Sequence, residues 1–319
     1  LTARKPTRAA ALSSGFASLA SLAVALPAHA QSVTTLRLAT IPAEVDATGW
    51  YALELGYFRQ HGLDVTIDTF TSGGAITAGL VGGSLDVGVA SIGSLSTAHG
   101  RGLPIVAIAP GGIYNGDAPT TVLAVSTSSP LRAAKDLAGK TIAVQTLGEL
   151  AQFTTMSWID KNGGDSKSVK FLEIPSSSMA DALARGRVDV AFLAEPYYTQ
   201  AKPAVRFFGA GYDGISKHFL NTAWLATNDW IARNPATARS FAAAMRQAAQ
   251  WANQPRNAGP SGAILAKYTK IPPETIAKMQ RARFALTLDP AMLQPVIDVS
   301  AQYKVLAHGF PATELIAAL

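Results

Sequence analysis

Two stretches of this chain, 103 residues apart, share one pattern. Ile76…Leu80-Val81-Gly82-Gly83-Ser84-Leu85-Asp86-Val87 matches Met179…Leu183-Ala184-Arg185-Gly186-Arg187-Val188-Asp189-Val190. In each, an apolar helix stops at a glycine suited to the left-handed position after a helix end, and an aspartate then precedes a short buried strand. A generic helix–Gly–strand unit occurs once by chance in many α/β chains. Two copies in matching contexts point to two similarly built lobes, and that limits the fold more than any other feature.

Between and around these copies, β-rich runs alternate with helical ones. Strands are expected at Thr35–Thr40, Leu63–Phe70, Leu85–Ala90, Ile105–Ala109, Thr121–Val125, Thr141–Val144, Val169–Ile174 and Val188–Leu193. Helices are expected over Trp50–Gln60, from Gly73-Gly74 to Gly82-Gly83, from Ser91 toward His99, over Leu131–Leu137, Glu149–Lys161 and Ser178–Ala184. Such alternation implies mostly parallel sheets with helices on both faces. The last third is helical. Asn234-Pro235, Pro272-Pro273 and Asp289-Pro290 each mark a helix start, and Phe241, Met245, Ala248 and Trp251 line one face as core.

The first thirty residues differ from the rest. Arg4, Lys5 and Arg8 precede an uncharged Ala/Leu-rich stretch from Ala9 to Leu26, closed by Pro27-Ala28-His29-Ala30. This fits a secretory signal peptide cleaved before Gln31, with a mitochondrial transit peptide, also basic and acid-free, as the competing reading. Ser13, Ser14, Gly15, Ser18 and Ser21 make it too weakly apolar for a membrane span, which takes ~20 predominantly apolar residues. The segment also explains part of the charge. The chain carries 27 Lys+Arg against 21 Asp+Glu, but beyond residue 30 the balance is 24 against 21, with no clustered basic face for nucleic acid. There is no cysteine, which excludes disulfide scaffolds, cysteine-ligated zinc, thiol nucleophiles and lipid attachment through an N-terminal cysteine.

Several motifs in order then resemble one family. They are Ala52-Leu53-Glu54-Leu55-Gly56-Tyr57-Phe58…His61-Gly62-Leu63-Asp64-Val65, Ser72-Gly73-Gly74, Gly83-Ser84-Leu85-Asp86-Val87-Gly88, Asp136-Leu137-Ala138-Gly139-Lys140-Thr141-Ile142-Ala143-Val144, Glu195-Pro196-Tyr197 and Asn234-Pro235. The chain is similar over residues 34–255 to the periplasmic substrate-binding proteins of ABC importers for nitrate, sulfonates and taurine, the NMT1/THI5-like group. The resemblance implies an α/β, two-lobed type II periplasmic-binding fold of the Venus-flytrap kind, with mixed, mostly parallel sheets and two crossover strands. It implies residues 31–118 plus 222–319 as lobe 1 and 119–221 as lobe 2, after a signal peptide at 1–30. It also implies a monomer without cofactor or metal that delivers a solute in the periplasm to a membrane permease and its ATPase.

In parallel α/β sheets, ligands sit outside the carboxyl ends of strands. Four loops qualify: the one carrying Asp46 and Trp50; Ser72-Gly73-Gly74; Ser91, Gly93 and Ser94; and Gln145, Thr146 and Leu147 before a helix. Glycines let a ligand approach the backbone, and oriented amide donors at helix starts favour a negative group. Trp50, Tyr114, Tyr197 and Trp224 would supply an apolar or stacking wall. The expected ligand is a small organic anion, a sulfonate or carboxylate. Glu149 and Glu195 sit awkwardly with that, because both would lie near the cleft while none of the four loops holds a lysine or arginine. A neutral or cationic heterocycle would explain the acids, and a periplasmic sensor is the remaining non-enzymatic alternative.

Enzyme classes fare poorly. A pyrimidine-synthesising branch of related fold uses a cysteine-rich motif absent here, and no Gly-x-Ser-x-Gly elbow occurs. His61, His99, His218 and His308 are too dispersed for a metal site. Gly209-Ala210-Gly211-Tyr212-Asp213-Gly214 matches a dinucleotide fingerprint in letters, but no helix is expected to open at Gly214 and no βαβ unit surrounds it. It reads as a loop near a return crossover.

Overall fold

The computed structural model describes residues 1–3 and 33–319, so the expected signal segment falls almost entirely outside the described residues. The strands are β1 (Thr34–Thr40), β2 (Leu63–Thr69), β3 (Val87–Ser91), β4 (Ile105–Pro110), β5 (Gly112–Asn115), β6 (Thr121–Ser126) and β7 (Thr141–Val144). They continue as β8 (Lys170–Glu173), β9 (Val190–Ala194), β10 (Val205–Gly209), β11 (His218–Leu220), β12 (Thr222–Thr227) and β13 (Arg283–Phe284). Two five-stranded sheets form, in the orders β2-β1-β3-β12-β4 and β8-β7-β9-β6-β10. Each begins with three parallel strands followed by one antiparallel strand, β12 in the first and β6 in the second.

The repeat is the structural counterpart of that symmetry. The helices Gly73–Val81 and Ser176–Ala184 run into Gly83 (φ 72°) and Gly186 (φ 65°), a conformation that a side chain would strain. Each aspartate then ties its strand to the parallel neighbour, β3 to β1 and β9 to β7. The Asp86 carboxylate accepts from the Arg37 amide at 2.8 Å while its own amide donates to Arg37 O at 2.9 Å. Asp189 does the same with Thr141, at 2.8 and 2.9 Å. Each adds an ion pair, Asp86 to Arg37 at 2.9 Å and Asp189 to Lys140 at 3.4 Å.

Burial follows strand position. The edge strand β2 alternates buried Leu63 and Val65 with exposed Asp64 and Thr66, whereas Val87 to Ala90 of the central β3 are buried throughout, with helices covering both faces. One face of the first sheet packs Trp50, Tyr51, Phe58, Trp224, Phe241 and Met245 into one core. The outer face of the second sheet packs Val122, Met179, Leu183 and Leu193 into another. A third core, with Ile76, Leu95, Leu123, Phe153, Leu293 and Ile297, runs between the sheets. The helix Pro290–Gln302 joins the halves: it contacts both the helix Ile92–Gly100 and the helix Leu150–Lys161, and Tyr303 Oη just beyond it donates to Asp160 at 2.8 Å.

The two crossovers pair with each other. β5 and β11 run antiparallel, with Tyr114 opposite Phe219, in a three-stranded ribbon completed by β13. Neither β5 nor β11 nor β12 is visible in the sequence pattern, and the antiparallel strand in each sheet departs from the alternation reading. Four helix expectations also change. Leu131–Leu137 holds only the 3-10 turn Ala134–Leu137. Trp50–Gln60 is broken into Thr48–Glu54 and Tyr57–Gln60 at Gly56 (φ 71°). Pro272-Pro273 opens only the short helix Pro273–Ile276. The Asn234 side chain does not cap the helix Pro235–Ala252, because its amide is turned back to Trp230 O at 2.9 Å. Asp289 does cap its helix, accepting from Ala291 at 3.0 Å.

The clasps make a prediction. Asp189→Ala removes an acceptor from a backbone donor at a sheet start and is expected to cost about 1–2 kcal/mol in urea unfolding. Asp189→Ala also strips Lys140, but Asp86→Ala breaks two guanidinium hydrogen bonds from Arg37 as well as the amide bond and should cost more. Equal and negligible losses at both positions would show the repeat to be mere sequence coincidence.

Candidate functional site

The carboxyl ends of β1, β2 and β3 face those of β7, β8 and β9, and the loops they feed enclose two adjoining cavities of about 120 and 60 Å³. The larger is lined from the first sheet by Ile41 to Ala43, Val45 and Asp46 after β1, Phe70 and Thr71 after β2, Ser91 at the end of β3, and Asn221 and Thr222 at the start of β12. The second sheet adds Thr121, Gln145, Pro175 to Ser177, Phe192, Ala194 and Tyr197. Tyr212, from the turn Gly211–Gly214, closes both cavities. The smaller is lined by Gly73, Ser91, Ser94, Gln145, Thr146, Glu149 and Leu150, among others.

Across this seam the two halves touch. Gln145 Nε2 donates to Thr71 O at 2.9 Å. Ser94 Oγ donates to Glu149 Oε2 at 2.5 Å, and a Cβ on Gly93 would lie 3.0 Å from the Leu150 amide nitrogen. The bare backbone at Gly93 therefore admits the opposing helix start, where the sequence had suggested a ligand. Gly73 likewise makes room for Ser94 Oγ, 2.7 Å from its Cβ position. Glu149 thus sits at the starts of the helices Gly73–Val81 and Ile92–Gly100, the place where oriented amides favour a negative group. The serines flanking it are engaged: Ser72 Oγ accepts from Ala75 N at 3.3 Å and Ser91 Oγ from Ser94 N at 2.9 Å, so both act as helix caps.

Besides Glu149, three more carboxylates gather around the seam, and burial raises all four. Glu44 rises to about 7, with Arg281 pulling it down through an ion pair and Ala282 N donating at 2.9 Å. Glu195 is shifted upward by burial against the opposing bonds from Thr199 N at 3.0 Å and Thr199 Oγ1 at 2.9 Å. Asp46 is different. Burial pushes it up to about 7, and only the neighbouring Thr222 hydroxyl acts the other way. That hydroxyl donates its proton to Val45 O at 3.2 Å and accepts from Gly112 N at 3.0 Å. Asp46 Oδ1 is buried with no hydrogen-bond partner among the described residues.

Among the expected site residues, Asp46, Ser91, Gln145 and Tyr197 line the larger cavity, and Gly73, Ser94 and Thr146 the smaller. Gly74 lies beside Glu149 on the outer groove between the two helices. The stacking wall is corrected. Trp50 is buried in the core, stacked on Tyr268 at 4.9 Å; Trp224 is buried too, its Nε1 donating to Thr48 at 3.1 Å. Tyr114 lies in the crossover ribbon, donating to Asp213 at 2.8 Å. These large aromatics fill the sheet faces rather than the sheet ends. Leu147 is exposed, its amide given to Glu173 at 3.0 Å, and the Glu195 side chain is turned to Thr199. Tyr212, Asn221, Thr222 and Phe192 were missed. Tyr212 sits in the glycine-rich Gly209–Gly214 stretch, whose composition marks a loop but not its destination.

Comparison with known proteins agrees with this architecture. The model of a family described as NMT1/THI5 like matches residues 46–258. The chain belongs to that family. Provisionally named binding proteins of Brucella abortus and Brucella suis are 26% identical over 225 residues, which make up 69% of this chain and 66% of theirs. The alkanesulfonate-binding protein SsuA of Xanthomonas axonopodis pv. citri, solved with MOPS, superposes with TM-score 0.74 at 20% identity, covering 89% of this chain and 98% of that one. The periplasmic nitrate-binding protein NrtA of Synechocystis PCC 6803 gives 0.75 at 18%, covering 88% and 84%. The ligand-binding component of an ABC-type import system from Staphylococcus aureus, with zinc bound, gives 0.76 at 12%, covering 89% and 96%. These neighbours share the periplasmic-binding fold, and those named by function are binding proteins. Among the described residues no helix is long and apolar enough to cross a membrane, and no His/Cys/Asp/Glu group has metal-site geometry.

The isolated carboxylate predicts a pH effect. Asp46 holds its proton more tightly folded than unfolded, so its contribution to stability is fully present below about pH 4 and lost as pH rises through about 7. Asp46→Asn should flatten the fall in unfolding free energy between about pH 4 and about pH 8, by up to about 4 kcal/mol. An unchanged slope would mean that Asp46 is solvated in solution.

Proposed function

We propose that this chain is the solute-binding component of an ABC-type importer, acting in the periplasm as a monomer and handing its ligand to a membrane permease and its ATPase. The observation that carries this reading is the cleft itself. Residues from the ends of two separate sheets line one cavity, so a solute held there bridges both halves and favours their closed arrangement. Residues 31–118 with 222–319 and residues 119–221 are taken as the two jaws, with β5 and β11 as the connecting hinge. Micromolar affinity amounts to about −8 kcal/mol, within reach of a small set of buried polar contacts that engage only on closure.

The anion expected from the loops has less to support it than the cleft has. Its donors would be the amides and hydroxyls at the starts of the helices Gly73–Val81 and Ile92–Gly100, but Ser94 is given to Glu149 and both capping serines are engaged. No lysine, arginine or histidine lines either cavity. A sulfonate or carboxylate would have to displace or neutralise Glu149. A protein of this fold that feeds a receptor instead of a permease would bind in the same way, so the transport step needs its own test.

Two measurements check the proposal. Native mass spectrometry of protein from its own host should reveal a bound small molecule, and adding that molecule to stripped protein should reduce the radius of gyration in X-ray scattering. Gly93→Val should weaken that binding by about tenfold or more by propping the seam at Leu150, with little change in melting temperature of the unloaded protein. Full affinity in this variant, with no compaction in either protein, would remove the hinged-cleft account. Uptake unchanged when the partner permease is deleted would favour the sensor.

A further inference from the structure

We infer that the cleft selects a compact solute bearing a cationic, hydrogen-donating nitrogen group, an ammonium, amidinium or guanidinium, and that Asp46 is the residue that receives it. This rests on the solute-binding reading above and deepens it. The site is built for such a group in three respects. First, Asp46 is 4% exposed, its Oδ1 has no partner among the described residues, and it lies in the wall of the larger cavity. A buried acceptor left in that state is costly, and a donor arriving with the ligand removes the cost. Second, the polar groups around it leave that oxygen unsatisfied. The Thr222 hydroxyl, the one group that favours the ionised form, also donates to Val45 O, and Thr40 Oγ1 donates to the Asp46 carbonyl, not to its carboxylate. Arg281, which reaches the same turn, is held by Glu44, Ser261 and Ala258 O. Third, the charge of the walls has one sign. Asp46 and Glu149 are the acids of the two cavities, and no basic side chain lines either.

The same surroundings leave a hydrogen-bonding frame for the remainder of the molecule. Gln145, Asn221 and the hydroxyls of Ser176 and Ser177 line the larger cavity, with Phe70, Phe192 and Tyr212 as its apolar surfaces. Tyr212 faces both Asp46 and Glu149, and burial raises it far above the range where it ionises, so it remains a neutral donor. No charged group shifts Asp46, which burial and the Thr222 bond set between them. The other acids of this part of the site are Glu44 in the same turn, also raised to about 7 and paired with Arg281, and Glu149, which like Asp46 acts on Tyr212.

The test is calorimetric titration of ligand-stripped protein with methylguanidinium and n-propylammonium, and with nitrate and ethanesulfonate as anions, at about pH 5.5 and about pH 8.5. These straddle the value near 7 to which burial pushes Asp46. The cations should bind, about tenfold or more tightly at the higher pH, where the carboxylate is ionised. Asp46→Asn should lose about tenfold or more at the higher pH and with it the pH dependence. The pH profile of the unaltered protein stands alone if that variant does not fold. Tighter binding of the anions, or binding that strengthens toward low pH, would overturn the inference and leave the binding protein intact. So would cation affinity that survives Asp46→Asn in folded protein. If none of the four probes binds and host-purified protein carries an anionic or neutral solute, the class is wrong. If it carries nothing and no small molecule compacts it, the solute-binding reading itself falls.

Discussion

A parallel strand cannot be joined to its neighbour by a tight turn; the chain must cross over a face of the sheet, and every strand then ends at the same edge. Both sheets of this protein obey that constraint for three strands, β1 to β3 and β7 to β9, and the two carboxyl edges are turned toward each other. The loops at those edges carry nearly all residues that line the cleft. The antiparallel strands β6 and β12 add Thr121 and Thr222, because running the other way they begin at that edge, and the turn Gly211–Gly214 adds Tyr212.

The aspartate clasps matter because they anchor the far edge. Asp86 and Asp189 stand at the amino ends of β3 and β9 and lock those ends to β1 and β7, with a side-chain acceptor and a backbone donor at once. With the far edge fixed, the near edge is free to carry irregular loops. These include the turn Glu44–Asp46, whose Glu44 is held by Arg281 and Ala282 from the C-terminal segment. That ion pair is buried, and it keeps the turn in place two residues from Asp46. A carboxylate that is fully paired thus supports one that is not, and the contrast marks Glu44 as structural and Asp46 as a recognition group.

Glu149 shows why helix starts alone are poor guides to a ligand. The Ser-Gly-Gly and Ser-x-Gly-Ser loops have the amides and hydroxyls that hold anions elsewhere, and here a carboxylate of the same chain occupies that position from the opposite half. Its proton affinity is raised by burial and by Glu173, and lowered by the Ser94 bond and by Arg101. The contact therefore belongs to the closure of the cleft as much as to its chemistry.

The sequence by itself determined the elements and their symmetry. Periodicity located the parallel strands to within a residue or two, the glycine and aspartate of the repeat forecast two equivalent units, and four strand-end loops were named as the place to look. Those features are local, or recur locally, so neighbouring residues suffice to reveal them. Tertiary structure decided what the residues there do. Trp50, Tyr114 and Trp224 became core because the sheet faces needed large apolar side chains, and Gly93 served a closing helix rather than a ligand. Tyr212, Asn221 and Thr222 entered the site from a crossover that no short-range pattern signals. The state of Asp46 depends on which distant groups fail to reach it, and a missing partner is a property of three-dimensional packing that no stretch of sequence contains.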